Sequence, residues 1–295
     1  SSSSSSSPSS PSAAAAPKAA PAITRAPAGC CSLLYAMRSA SVARRLGSRS
    51  KLRPWHAQEF ANAQPTLFAQ LAAAVCSAGV LPRKELHECW EVGVQVDRAF
   101  PGAPVVADLA AGHGLTAWVL VLLAAQRSVA RTAVAVDVRR PASAGAVADA
   151  VRARWPALRD AVHYVEGSID DVVAERDSVI VGVHACGALT DRVLGVALRS
   201  GAAAAVLPCC HSLRKQAASS LPALAELLPA EARAGLGAEA LHSKAVARGA
   251  RDAIDAWRAA AMRRAGYQVD ESSIDGGITP FNRLLLCAPP SEGSP

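Results

Sequence analysis

Apolar residues fall along this chain in short strand-length runs that alternate with longer segments of helical period. Val105-Val-Ala-Asp108 and Thr132-Ala-Val-Ala-Val-Asp137 read as two buried strands. Leu115–Gln126 between them is apolar on every side, as in a helix packed on a parallel sheet. The alternation continues with a helix over 146–154, a strand over 162–165, a strand over 178–184, a helix over 189–198 and a strand over 202–207. Residues 214–250 are Ala-rich and helical, and read as an insertion. Residues 251–265 form an amphipathic helix with Ile254, Trp257, Ala261 and Met262 on one stripe. Strands over 266–269 and 281–287 close the pattern as a hairpin. Upstream, 60–80 reads as a helical segment interrupted by Pro65. Pro82 opens a second helix with Leu86, Trp90 and Val94 on one face, which Pro101-Gly102 ends. The pattern predicts an α/β fold of Rossmann-like type, with helices on both faces of a mostly parallel sheet and a C-terminal antiparallel hairpin. A helical preface (59–100) precedes the α/β domain (101–288), and 289–295 is expected to be a disordered end.

The candidate chemistry lies where the first strand turns into the first crossover helix. Asp108 ends that strand, Gly112-His113-Gly114 makes the turn, and Asp137 ends the second strand 23 residues after Gly114. In an open α/β sheet this is where a nucleoside-bearing cofactor is gripped, with Asp137 placed to accept hydrogen bonds from two ribose hydroxyls. Gly112 and Gly114 let the backbone approach the ligand, because no Cβ intervenes. Gly112–Ala117 also fits the dinucleotide fingerprint, whose helix terminus receives a pyrophosphate. Asp108 lies four residues before Gly112; it would repel a pyrophosphate and suits a cofactor bearing an ammonium and a sulfonium. A Gly-containing turn without a ligand is the plainer alternative.

Charge narrows the partners less than the net value of +7 suggests. Residues 1–58 hold eight Lys or Arg and no acid, leaving 23 basic against 24 acidic residues beyond them. The basic balance is therefore a property of the tail and is not evidence for a nucleic-acid surface on the domain. The tail is Ser-, Ala- and Pro-rich and cannot bury enough apolar surface to offset its ordering entropy, so 1–58 is expected to be disordered. Its composition is that of a plastid or mitochondrial transit peptide; read as a plain tail, it implies a cytoplasmic protein. No stretch is long and apolar enough to span a membrane, so a soluble protein with no membrane partner is expected.

Together these motifs resemble a known family. The pattern D-x-x-x-G-x-G from Asp108 to Gly114 resembles the first motif of class I S-adenosyl-L-methionine-dependent methyltransferases, with Ala110 where that family usually has its first glycine. His184-Ala-Cys-Gly187, Pro208-Cys-Cys-His211, Arg83-Lys-Glu-Leu86 and Ile278-Thr-Pro-Phe-Asn-Arg-Leu-Leu-Leu286 resemble a methyltransferase-like family with H-A-C-G and P-C-C-H motifs. The tRNA acceptor-stem 2′-O-methyltransferases share a looser version. The resemblance covers about Pro82–Cys287 and implies S-adenosyl-L-methionine as cofactor, held by Asp108, Ala110, Gly112, His113, Gly114, Asp137, Ser168, Asp170 and His184. It implies an acceptor side built from His184, Cys186, Cys209, Cys210, His211 and Asn282 but does not fix the acceptor; RNA, tRNA first, is expected solely through the similarity to the tRNA enzymes. It fixes no oligomeric state.

The residues themselves leave roles open. His184 and His211 are the side chains able to take a proton near neutral pH, though His184 could equally orient its strand end. The thiols could be nucleophiles, as in pyrimidine C5-methyltransferases, or small polarizable packing groups beneath the site. Zinc is disfavoured and no metal site is expected, because there is no C-x-x-C spacing and vicinal cysteines close poorly on one ion. Disulfides are not expected. A methyltransferase-fold protein that binds without catalysis, and a nicotinamide-dependent oxidoreductase, are the competing functions.

Overall fold

The computed structural model describes residues 46–61 and 66–291. The strands are β1 (Val105–Leu109), β2 (Thr132–Asp137), β3 (Val162–Glu166), β4 (Val179–Cys186), β5 (Ala203–Cys209), β6 (Gln268–Ser273) and β7 (Arg283–Ala288). The helices are α1 (Leu67–Ala78), α2 (Arg83–Ala99), α3 (Leu115–Gln126), α4 (Ala142–Arg154), α5 (Ala188–Ser200), α6 (Leu213–Ala218), α7 (Ser220–Glu226), α8 (Ala238–Arg248) and α9 (Ala250–Arg264). One seven-stranded sheet runs in the order β3-β2-β1-β4-β5-β7-β6. The first five strands are parallel, and β7 pairs antiparallel with both β5 and β6. This is the predicted Rossmann-like sheet, reversing its order between β1 and β4, which is where such folds place ligands.

Successive strand residues feed opposite cores because side chains alternate across a sheet. Val106, Ala133, Val179 and Ala203 pack with α1–α4 on one face. Leu109, Val136, Ile180 and Ala204 pack with α5, α7 and α9 on the other. Helix α3 is buried nearly all round, as its composition demands. It lies so close to α2 that a Cβ on Gly93 would meet Val119 Cγ1 at 2.3 Å.

Strands β4 and β5 run two residues past their expected ends, through Cys186 and Cys209, while α4 begins four residues early at Ala142. The preface begins α1 only at Leu67, capped by the Thr66 side chain, and Pro65 lies outside the described residues. The inserted segment is three short helices and a 3-10 turn over Ala230–Arg233.

The expected tail boundary at residue 58 requires correction. Leu46 and Leu52 are buried, Leu52 N donates to Leu81 O at 2.8 Å, and Arg53 Nη1 donates to Gly79 O at 3.0 Å. With buried Phe60, and with Lys84 N donating to Ser48 O and Arg83 N to Ser50 O, these contacts fix residues 46–60 against α1 and α2. Residues 1–45, with the transit-peptide motif and Cys30 and Cys31, lie outside the described residues. At the other end, Pro290 accepts from Arg176 at 2.8 Å, so the chain stays attached past residue 289. Among the described residues no helix is long and apolar enough to cross a membrane.

Candidate active site

The loop after β1 is built on left-handed backbone. Ala110 has φ 56°, Gly112 φ 52° and Gly114, which opens α3, φ 69°. For Ala110 this conformation costs about 1–2 kcal/mol, a penalty the usual glycine would not carry. Space beside Gly112 is open where a Cβ would stand, so the loop presents bare backbone. Asp137 holds the loop from the neighbouring strand: its Oδ2 accepts from Gly112 N at 2.9 Å, while Tyr164 Oη donates to Gly112 O at 2.8 Å. Asp108 is buried beneath, accepting from Ala117 N at 3.2 Å. Burial, and then the nearby charge of Asp137, push its carboxyl up to about 7 despite the Ala117 N–H.

A cleft of about 430 Å³ opens over this loop toward the end of β4. Its walls include Arg49, Lys84, Glu85, Glu88, Asp108 and His184, together with Ala110–His113. Three carboxylates thus face one cavity. Glu88 is buried in helix α2; its Oε1 lies 2.7 Å from His184 Nε2 and also meets Lys84 Nζ. Lys84 Nζ is 3.4 Å from the same histidine nitrogen. Burial alone would raise the Glu88 carboxyl, but the His184 and Lys84 contacts together hold it below the ordinary range. Its other oxygen, Oε2, is buried with no hydrogen-bond partner. For Glu85 burial and the charge of Glu88 outweigh the nearby Lys84 and His184 and raise its carboxyl.

Of the expected cofactor residues, Asp108, Ala110, Gly112, His113 and His184 line the cleft, with Gly114 and Asp137 beside them. His113 bridges two elements, its Nδ1 2.6 Å from Ser143 Oγ and its Nε2 3.3 Å from Glu85. Ser168 and Asp170 stand at the end of β3 and are engaged by Arg192, whose Nη2 donates to Ser168 Oγ at 3.1 Å and Nε to Asp170 Oδ1 at 2.8 Å.

The acceptor-side set divides. His184 stands on left-handed backbone (φ 55°) inside a register shift between β4 and β5, facing the cleft. Cys186 lies at the end of β4, with its Sγ 3.1 Å from Cys209 Sγ and 3.4 Å from Cys210 Sγ. Burial raises the Cys186 thiol, and burial with the neighbouring thiols raises Cys209. His211 and Asn282, expected beside them, are engaged by α9 and the terminal hairpin. His211 Nε2 is 2.8 Å from Asp255 Oδ1, in a buried charge network that includes Arg258. Asn282 pins the β6–β7 loop: its Nδ2 donates to Ile274 O at 3.2 Å, and its Oδ1 accepts from Arg251 at 3.3 Å. Arg49, Lys84, Glu85 and Glu88 are the site residues that sequence reasoning missed. The Arg83-Lys-Glu-Leu86 motif signalled only Lys84 and Glu85.

Residues 85–216 match the model of the family described as a methyltransferase domain. No curated protein matches the chain. Similar solved structures include magnesium protoporphyrin IX methyltransferase from Synechocystis PCC 6803 with bound S-adenosylhomocysteine, at 11% identity over 80% of this chain and 92% of that one (TM-score 0.40). A mitomycin 7-O-methyltransferase is 16% identical over 77% of this chain and 62% of its own, with a TM-score of 0.40. A 23S rRNA methyltransferase is 10% identical over 70% of this chain and 68% of its own, with a TM-score of 0.36.

Proposed function

We propose that the methyl acceptor of this S-adenosyl-L-methionine-dependent methyltransferase is RNA, with tRNA the first candidate. The observation that carries the cofactor reading is the triple-carboxylate cleft over a bare-backbone loop, with the unpartnered Glu88 Oε2 among its buried atoms. The acids fit a ligand carrying cationic centres, and Asp108 beneath the loop opposes a pyrophosphate there, which argues against a nicotinamide dinucleotide. In this reading Asp108 and the acids of α2 receive the amino-acid end of the cofactor, Asp137 its ribose, and residues 168–170 its base. When bound, the cofactor supplies an electrophilic methyl group for in-line displacement, so the protein's part is alignment and proton management.

His184 is suited to the second task. With Nε2 hydrogen-bonded to Glu88, Nδ1 is left as the basic nitrogen, and the buried carboxylate offsets the charge gained when a ribose hydroxyl gives up its proton. Cys186 and Cys209 are raised, neutral thiols and poor nucleophiles, which favours positioning over a covalent intermediate. The RNA reading is supported by the H-A-C-G and P-C-C-H motifs shared in looser form with tRNA enzymes. It is also supported by exposed cations near this edge of the sheet: Arg49 and Lys51 before α2, Arg139 and Arg140 after β2, Arg214 and Lys215 after β5.

The test is incubation of the protein with methyl-labelled S-adenosyl-L-methionine and separated RNA, protein and metabolite fractions. Label is expected in RNA, and His184→Ala should lower the rate far more than the affinity for S-adenosylhomocysteine. Label only in protein or metabolites would overturn the acceptor. Binding of S-adenosylhomocysteine with no transfer to any fraction would favour a non-catalytic binding protein.

A further inference from the structure

We propose that Cys186, Cys209 and Cys210 form a site for one thiophilic d10 cation, zinc(II) first, with a fourth position open to solvent. Their sulfurs all lie within 4.8 Å of one another, the two pairs involving Cys186 at 3.1 and 3.4 Å. Three thiolates bound to one zinc at about 2.3 Å in tetrahedral geometry stand about 3.8 Å apart. The cluster therefore needs adjustments of less than about 1 Å.

The spacing of vicinal cysteines argues against a shared ion only while their backbone is extended, since adjacent side chains then point to opposite faces. Here Cys210 has φ 54°, and this left-handed turn directly after β5 brings its thiol to the side of Cys209. On the neighbouring strand the register slips between Val183 and Cys186, which sets Cys186 opposite Cys209. Two independent backbone irregularities thus converge on one cluster. Cys209 is buried while Cys186 and Cys210 are exposed, so an ion would have both an anchored inner ligand and a path in. Binding would release the thiol protons, involve no redox change, and clamp the ends of β4 and β5 beside His184. The cation's fourth ligand would be water or an exchangeable group, as in zinc sites that are not closed.

The test is cadmium titration of the full chain under reductant, in a background where Cys30 and Cys31 are serine. The expected result is one cadmium per chain, with an ultraviolet sulfur-to-cadmium charge-transfer band, displaceable by zinc. Cys186→Ser, Cys209→Ser and Cys210→Ser should each weaken binding at least tenfold, while Cys76→Ser and Cys287→Ser leave it unchanged. Circular dichroism of Cys210→Ser, whose side is exposed, checks that the loss is not unfolding. Failure to bind one equivalent, or a band that survives in Cys186→Ser and Cys210→Ser, would overturn the assignment.

Discussion

On the proposed reading, the carboxyl of Asp108, lifted to about 7, should make cofactor affinity a function of pH, and Asp108→Asn is the perturbation that exposes it. Only the ionised form attracts a cationic ligand. With a pKa near 7 about nine-tenths of the sites are charged at pH 8 and about one-tenth at pH 6, so affinity should fall roughly tenfold, or about 1.4 kcal/mol. The same carboxyl is neutral in the folded protein over a range where the unfolded chain has already ionised it. Its pKa is raised from 3.8, so its contribution to folding is most favourable below 3.8 and is lost as pH climbs to about 7. The burial cost at pH 8 is on the order of 4 kcal/mol for the cofactor-free protein. Asparagine should therefore stabilise the free protein at pH 8 while weakening S-adenosylhomocysteine binding. Calorimetry at pH 6, 7 and 8, run in buffers of different ionisation enthalpy, reads both the affinity and the proton released. His113, its imidazole pKa lowered by burial, also titrates near the cleft, and the Asp108→Asn protein isolates its share. A wild-type affinity that does not change between pH 6 and 8, or a slope that persists in Asp108→Asn, would refute the reasoning.

Three other outcomes follow from packing and backbone. A chain starting at Leu46 should keep full cofactor affinity, whereas one starting at Arg53 loses Leu46, Arg49 and Leu52; each buried leucine contributes about 1.5–3 kcal/mol, so urea unfolding should show a clear drop. Arg258 is fully buried between Asp191 (2.7 Å) and Asp255 (3.0 Å) and donates to Gly187 O at 3.0 Å, so Arg258→Leu should cost about 3–5 kcal/mol in thermal or urea melts by removing the buried cation that two buried carboxylates share. Ala110→Gly should raise stability by about 0.5–1 kcal/mol, since relief at φ 56° outweighs glycine's added freedom; an unchanged or lower midpoint would count against strain there.

What was legible in the sequence follows from the range of the interactions involved. Asp108, Gly112, Gly114 and Asp137 belong to a continuous strand–turn–helix–strand run, so their convergence is nearly local. The terminal hairpin was visible because 266–269 and 281–287 have no helix between them. Lys84, Glu85 and Glu88 were not legible as site residues, because charges spaced four apart on a helix read as a solvated face. Only the seating of α2 over the end of β4 turns them inward. The pull of Asp255 on His211 and of Arg251 on Asn282 was hidden for a similar reason: each contact spans more than thirty residues of chain. The sulfur cluster depends on a register shift and a left-handed residue, neither of which leaves a periodic trace.

Ala110, His184 and Cys210 place left-handed turns at the ends of β1, β4 and β5, three strands that lie side by side. The first two turns are held by a neighbouring strand: Ala111 N donates to Val136 O, and Gly187 N to Cys209 O. An isolated strand end has no reason to adopt such a conformation, so the hydrogen bonds that hold it arrive only once adjacent strands have paired. On this basis the sheet is expected to form first and the strand-end rim to take shape upon it. Substitutions at the rim should accordingly register in the rate of unfolding and leave the rate of folding almost untouched.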